Sequence, residues 1–207
     1  AGKTRAITHR IAHAVATGAH DPRQSLAVTF TTKAAGELRS RLSALGAPTV
    51  TASTFHAAAL RQLHHFWPVA IGGSPWPIQA SKARLVAEAA AHVGVSTEPS
   101  MIRDLSADIE WAKVREITPE SLATAVAAAG RVTAVDVREL ADVWRSYEDV
   151  KQQRAVIDFE DVLLLTVGLL ADRPDVADEV RRRYRWFTVD EFQDVNPLQH
   201  RLLELCL

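Results

Sequence analysis

Residues 186–196 read WFTVDEFQDVN. The apolar run Trp186, Phe187 and Val189 reads as the end of a buried parallel strand. Two adjacent carboxylates, Asp190 and Glu191, then stand at its C-terminal edge, which is where open α/β sheets bind ligands. One carboxylate at such an edge can help hold Mg²⁺, and its neighbour can polarise a water aimed at a phosphoryl group. At the other end of the chain, residues 1–4 read AGKT, the closing residues of the phosphate-loop pattern G-x-x-x-x-G-K-[ST]. A lone GKT is common by chance, and an Asp-Glu pair after an apolar run is often a solvated strand end. The order decides between them: GKT, a helix, a strand, then apolar-DE reads as two halves of one nucleoside-triphosphate site.

The totals permit this. With 207 residues, 47% hydrophobic and 24% charged, the chain has room for one large domain or two small ones of ordinary globular composition. Residues 162–171 are the nearest approach to a membrane span and are far too short for one. The single cysteine, Cys206, excludes an intrachain disulfide and a cysteine-rich zinc site, and fits a cytoplasmic protein. His56, His64 and His65 have no acidic or cysteine partner at ligand spacing, which argues against a metal site there. Net charge is −1, but residues 1–65 hold eight basic residues against two acids, Asp21 and Glu37. A basic surface on an otherwise acidic chain suits a groove that contacts nucleic-acid backbone. Arg5, Arg10 and Arg61 read more simply as solvated helix faces, and Arg181, Arg182, Arg183 and Arg185 as a cationic helix end.

Hydrophobic periodicity predicts a helix over 4–17, with Ile7, Ile11, Ala14 and Val15 on one stripe and Gly18 as its stop. A short β-rich run at 26–30 follows. Next come a helix over 32–45 that turns Ala35, Leu38 and Leu42 inward, a strand at 49–52, and a helix to about residue 67. Strands alternating with helices indicate a parallel, doubly wound sheet. Residues 68–77, rich in Pro and Gly, read as a linker. Helices are predicted at 81–93, 99–113, 119–129 and 134–153 with no strand between them. The last carries Val137, Leu140, Ala141, Trp144 and Tyr147 on one apolar stripe. Helices at 159–171, 174–184 and 197–206 flank the return of strand character at Phe187. The expected organisation is an α/β domain from 1–67 and 155–207, interrupted by a helical subdomain over 68–154. Asp158 reads as an N-cap in the acidic stretch Asp158, Glu160 and Asp161.

Several segments carry more than periodicity. Residues 28–35 read VTFTTKAA, 54–56 TFH, 111–122 WAKVREITPESL, 157–163 IDFEDVL and 189–196 VDEFQDVN. In that order they resemble the UvrD/PcrA/Rep group of superfamily 1 DNA helicases across essentially the whole chain. The resemblance implies a RecA-like P-loop fold, ATP and Mg²⁺ as cofactors, 3′-to-5′ movement on single-stranded DNA, and work at duplex junctions in repair or recombination. It also implies a second RecA-like domain of the same chain to complete the ATP site, so that this portion alone is inactive.

On this reading Gly2, Lys3 and Thr4 bind nucleotide: Lys3 reaches the β- and γ-phosphates, and the Thr4 hydroxyl goes to the metal. Asp190 completes the metal shell, Glu191 orients or deprotonates the attacking water, Gln193 and Asp194 complete the element, and Gln193 couples nucleotide state to neighbouring motifs. Phe30 is placed to stack on a base, with Thr29, Thr31 and Lys33 bonding phosphates. Thr54, Phe55 and His56 line the same channel by resemblance. The family usually has Asn at Thr32 and Ser at Ala57, so the resemblance does not carry over one backbone contact at each place. Two rivals are a helicase–nuclease motor and a P-loop ATP-binding regulator that does not bind DNA; a nucleotide site does not require the TFTTKAA and TFH segments.

Overall fold

The computed structural model describes residues 2–207, leaving Ala1 of the phosphate-loop reading outside the described residues. In chain order the elements are α1 (Gly2–Ala16), β1 (Ser25–Thr29), α2 (Thr32–Ala44), β2 (Thr51–Thr54), α3 (Phe55–Ala70), α4 (Lys82–Val93), α5 (Pro99–Lys113), α6 (Leu122–Ala129), α7 (Val137–Gln153), α8 (Phe159–Asp172), α9 (Pro174–Arg183), β3 (Trp186–Val189) and α10 (Pro197–Cys206). They form a helix-rich α/β protein around a small parallel sheet.

The chain divides into two compact units. The first, residues 2–73, 165–195 and 199–207, holds the sheet, in the order β2-β1-β3. Both pairings are parallel: Thr29 stands opposite Thr54, and Val28 opposite Val189. Every residue of the central strand β1 is buried. Ala27 packs with Leu38 and Leu42 of α2 and Ile11 of α1 in one apolar cluster. The Asp190 N–H donates to Val28 O at 2.9 Å, carrying the ladder one residue past β3.

Two details differ from the sequence reading. Strand β2 begins two residues later than periodicity placed it. The Ala47 N–H donates to Leu42 O and the Val50 N–H to Ala47 O, so residues 47–50 are spent closing a turn. Strand β3 is half-buried along its length rather than buried, because it lies at an edge of the sheet among the described residues.

The second unit, residues 74–164 with 196–198, contains α4 to α7 and the start of α8. Its core joins Leu85 and Val86 of α4, Leu105 and Ile109 of α5, and Leu140, Trp144 and Tyr147 of α7. Helix α3 continues through Pro68 to Ala70, past the end expected for it. Its first three turns or so carry the buried ridge Phe55, Ala59, Leu63 and Phe66, and Pro68 comes only where that ridge has ended. Residues 155–164 sit with the helical unit, not with the sheet. Ile157 makes a parallel bridge to Ile78, and the Ile157 N–H donates to Pro77 O at 3.1 Å.

Candidate phosphate and nucleic-acid site

Parallel pairing places the ends of β1, β2 and β3 at one edge of the sheet, so the loops that leave them share that edge. After β3 the chain turns sharply. Asp190 is only 4% exposed, and Glu191 adopts φ 54°, ψ 47°, the left-handed region that side chains other than glycine seldom enter. Strain of this kind persists where the surroundings enforce it and is concentrated at functional sites. Its effect here is to turn successive carboxylates apart: Asp190 inward, Glu191 to the surface.

The Glu191 carboxylate meets Lys3 of α1, whose Nζ lies 3.2 Å from Glu191 Oε2. The Gln193 side-chain amide donates to the same oxygen. These two partners, Gln193 first, hold the Glu191 carboxyl below its ordinary range. Asp190 is pushed the other way, by burial and then by the neighbouring Glu191 charge. One oxygen of Asp190, Oδ1, is buried with no hydrogen-bond partner among the described residues. A buried carboxylate oxygen without a donor is costly unless something positive or protonated meets it. Gly2 is exposed and Thr4 half-buried in the first turn of α1, where backbone N–H groups lack intrahelical acceptors.

The loops after β1 and β2 open two more helices at this edge. Thr31 caps α2, its Oγ1 accepting from the Ala34 N–H at 3.1 Å. Thr54 caps α3 in the same way through the Ala57 N–H, also at 3.1 Å. Each hydroxyl accepts in its cap and keeps its own proton to donate. Lys33 is exposed, and Phe30 is half-buried, its ring 5.6 Å from that of Phe55. Gln193 and Asp194 are exposed in a short 3-10 turn.

Three of the residues read as strand-contacting need correction. Phe55 is 2% exposed and Thr29 3%. Neither side chain is free to meet a nucleic acid: Phe55 is a core ring that backs Phe30, and Thr29 ends the buried central strand. His56 is half-buried, and burial lowers its pKa to about 4. It is therefore neutral at pH 7 and offers a phosphate no cation.

Sequence reasoning missed a buried ionic network in the helical unit. Asp158 and Asp161 cap each other's backbone at the start of α8: the Asp161 N–H donates to Asp158 Oδ1 and the Asp158 N–H to Asp161 Oδ2, both at 2.8 Å. That is a reciprocal capping box, and it includes the N-cap role read for Asp158. Lys113 Nζ then lies 2.6 Å from both carboxylates, Lys151 Nζ lies 2.6 Å from Asp161, and the Tyr147 hydroxyl donates to Asp158 at 2.7 Å. The carboxylate oxygens of Glu148, Asp158 and Asp161 come within 4.8 Å of one another, and the two ammoniums supply the positive charge among them. A signal was present. Lys151 follows Leu140, Trp144 and Tyr147 at helical spacing, a lysine on an apolar stripe.

The fold and this sheet edge define a class, an α/β protein with a basic and acidic residue pair suited to an anionic phosphate. The comparisons then identify the family. The chain matches the UvrD/REP helicase N-terminal domain over residues 1–207, and it belongs to that family. The ATP-dependent DNA helicase UvrD2 of Mycobacterium tuberculosis is 46% identical over 217 residues, covering 100% of this chain and 31% of that protein. The ATP-dependent DNA helicase PcrA of Leuconostoc citreum is 32% identical over 210 residues, covering 99% of this chain and 27% of that protein. The chain thus spans less than a third of the length of these curated relatives. Among the described residues no helix is long and apolar enough to cross a membrane.

Proposed function

We propose that this chain is the N-terminal part of an ATP-dependent DNA helicase or translocase, which couples ATP hydrolysis to 3′-to-5′ movement on single-stranded DNA and to unwinding at duplex junctions in repair or recombination. The observation that carries the reading is the pairing of Lys3 with Glu191 at the edge where β1, β2 and β3 all end. A lysine in the first turn of a helix, opposite two consecutive carboxylates, is what a RecA-like P-loop site needs. Lys3 binds the phosphates once nucleotide draws it from Glu191, with Gly2 and Thr4 beside it. Asp190 and Thr4 would hold Mg²⁺. The donor set fits, because the unmet Asp190 Oδ1 is a hard oxygen of the kind that ion takes. The ion would draw charge from the phosphates; the chain's own part is to orient water at Glu191 and sense the nucleotide through Gln193. A second RecA-like domain of the same polypeptide completes the site.

The same edge supports a strand track. Thr31 and Thr54 have hydroxyl protons to give, Lys33 is an exposed cation, and the N-termini of α2 and α3 are the positive ends of their helices. His56 joins as a neutral hydrogen-bonding group. Phe30 stacks on a base from one face while Phe55 supports the other.

Phe30→Ala in the full-length helicase tests this. Base–aromatic stacking is worth about 1–3 kcal/mol per base, so single-strand affinity should fall about 5- to 150-fold. DNA-stimulated ATPase should fall with it, while DNA-free ATPase stays level. Affinity is scored per folded molecule, since the ring also rests on Phe55. A variant that melts early but binds DNA normally would make Phe30 a core residue and remove the track from this edge.

A further inference from the structure

At the opposite edge of the sheet, where β1 and β3 begin, lies a second basic surface that the site above does not use. Gln24, Arg181, Arg182 and Arg185 line an open cleft with one acid, Asp178. Arg23 and Arg183 flank it in the chain. Asp178 pairs with Arg181 at 3.0 Å. Arg23, Arg182, Arg183 and Arg185 are all exposed, and none has a carboxylate partner within 4 Å among the described residues. Arginines at the end of α9 are favoured by the free carbonyls of its last turn. That accounts for Arg181 to Arg183. It does not account for Arg185, which lies beyond the helix, or for Arg23, which belongs to another segment.

The backbone beneath these side chains is pinned. Gln24 Nε2 donates to Arg182 O at 3.0 Å, and the Arg185 N–H donates to Gln24 O at 2.9 Å. Two segments distant in sequence are thereby held side by side. The Arg185 guanidinium lies 5.7 Å from the centre of the Trp186 ring, and His20 stacks on that ring at 5.0 Å. A planar guanidinium held this way loses little freedom when it engages an anion.

We propose that this surface binds the phosphodiester backbone of nucleic acid, as a second contact apart from the strand track. Arginines with no internal counter-ion, presented on fixed backbone, match phosphate oxygens in charge and in fork geometry. A protein partner fits less well, because protein interfaces are built around an apolar or aromatic core. The large exposed apolar side chains, such as Val69, Val132, Phe159 and Phe192, all lie in other parts of the sequence, and none lines this cleft. The choice of nucleic acid over another polyanion rests on the proposed function.

The test is the full-length protein carrying Arg182→Glu and Arg185→Glu together. Its affinity for single-stranded and duplex DNA is titrated against salt, beside the parent and Phe30→Ala. Each phosphate contact contributes about 0.9 to the slope of log affinity against log salt on duplex, and about 0.7 on single strands. Loss of two contacts should flatten the slope by about 1.8 or 1.4 respectively, with melting temperature and DNA-free ATPase unchanged. An unchanged slope on both substrates, while Phe30→Ala still loses affinity, overturns the second contact alone. If Phe30→Ala also binds normally, the strand track fails with it. Loss of binding to an acidic peptide in place of DNA would reassign the surface to a protein.

Discussion

On the proposed function, Glu191→Gln in the full-length protein should lower ATP turnover by about 10²- to 10⁴-fold, the usual loss when a positioned base is removed, and leave nucleotide binding in place. The substitution keeps the shape of the side chain. It removes the charge and the ability to take a proton from water. The geometry makes Glu191 the better of the two carboxylates for this role. It is turned to the surface by its left-handed backbone, whereas Asp190 is buried. Gln193, and then Lys3, hold its carboxyl below the ordinary range, so it is ionised at neutral pH. On the proposed function, nucleotide that draws Lys3 away would leave that charge free to face a water. Steady-state turnover alongside equilibrium binding of a fluorescent nucleotide separates the two effects. Turnover within a few-fold of the parent would take Glu191 out of the chemistry.

How far the site could be read from sequence depended on how local each cause was. WFTVDEF announces a strand and a carboxylate pair because both signals fall within a few residues. The reading could not supply burial. Phe30 and Phe55 each directly follow a strand in a TF context, yet one ring is half-exposed and the other fills the core. Thr29 looked like a phosphate ligand because it borders Phe30, but it ends a central strand covered on both faces. The start of β2 was misjudged because Pro48 and Thr49 are tied into a turn by hydrogen bonds that begin at Leu42. Periodicity found each α-helix among the described residues, since an apolar stripe is a local property. It could not pair Lys113 with Asp158, which are 45 residues apart.

That pairing carries the largest stability prediction. Lys113→Met should destabilise the helical unit by about 3–5 kcal/mol, the range seen when one partner of a buried ion pair is removed. Lys113 is 2% exposed and Asp158 1%. Burial alone would raise the Asp158 carboxyl, but the ammoniums of Lys113 and Lys151 outweigh it and hold the group well below its ordinary 3.8. Burial likewise would lower the Lys113 ammonium, and Asp158, Asp161 and Glu148 reverse that and raise it. Methionine fills most of the same volume, so the loss reports the charge and not a cavity. What remains is an Asp158 met by Lys151 at 3.3 Å and by the Tyr147 hydroxyl, short of its closest cation. The pH dependence checks the cause. A carboxyl whose folded pKa is depressed contributes stability above its unfolded value and loses it as pH falls toward the folded one. The gap between variant and parent should therefore be full at neutral pH and shrink below about pH 4 as Asp158 takes up its proton. Denaturant unfolding at both pH values measures it, with exposed Lys33→Met as the control, expected within about 0.5 kcal/mol of the parent. A deficit under about 1 kcal/mol, or one that does not change with pH, would mean that Lys151 and Tyr147 alone satisfy the two aspartates.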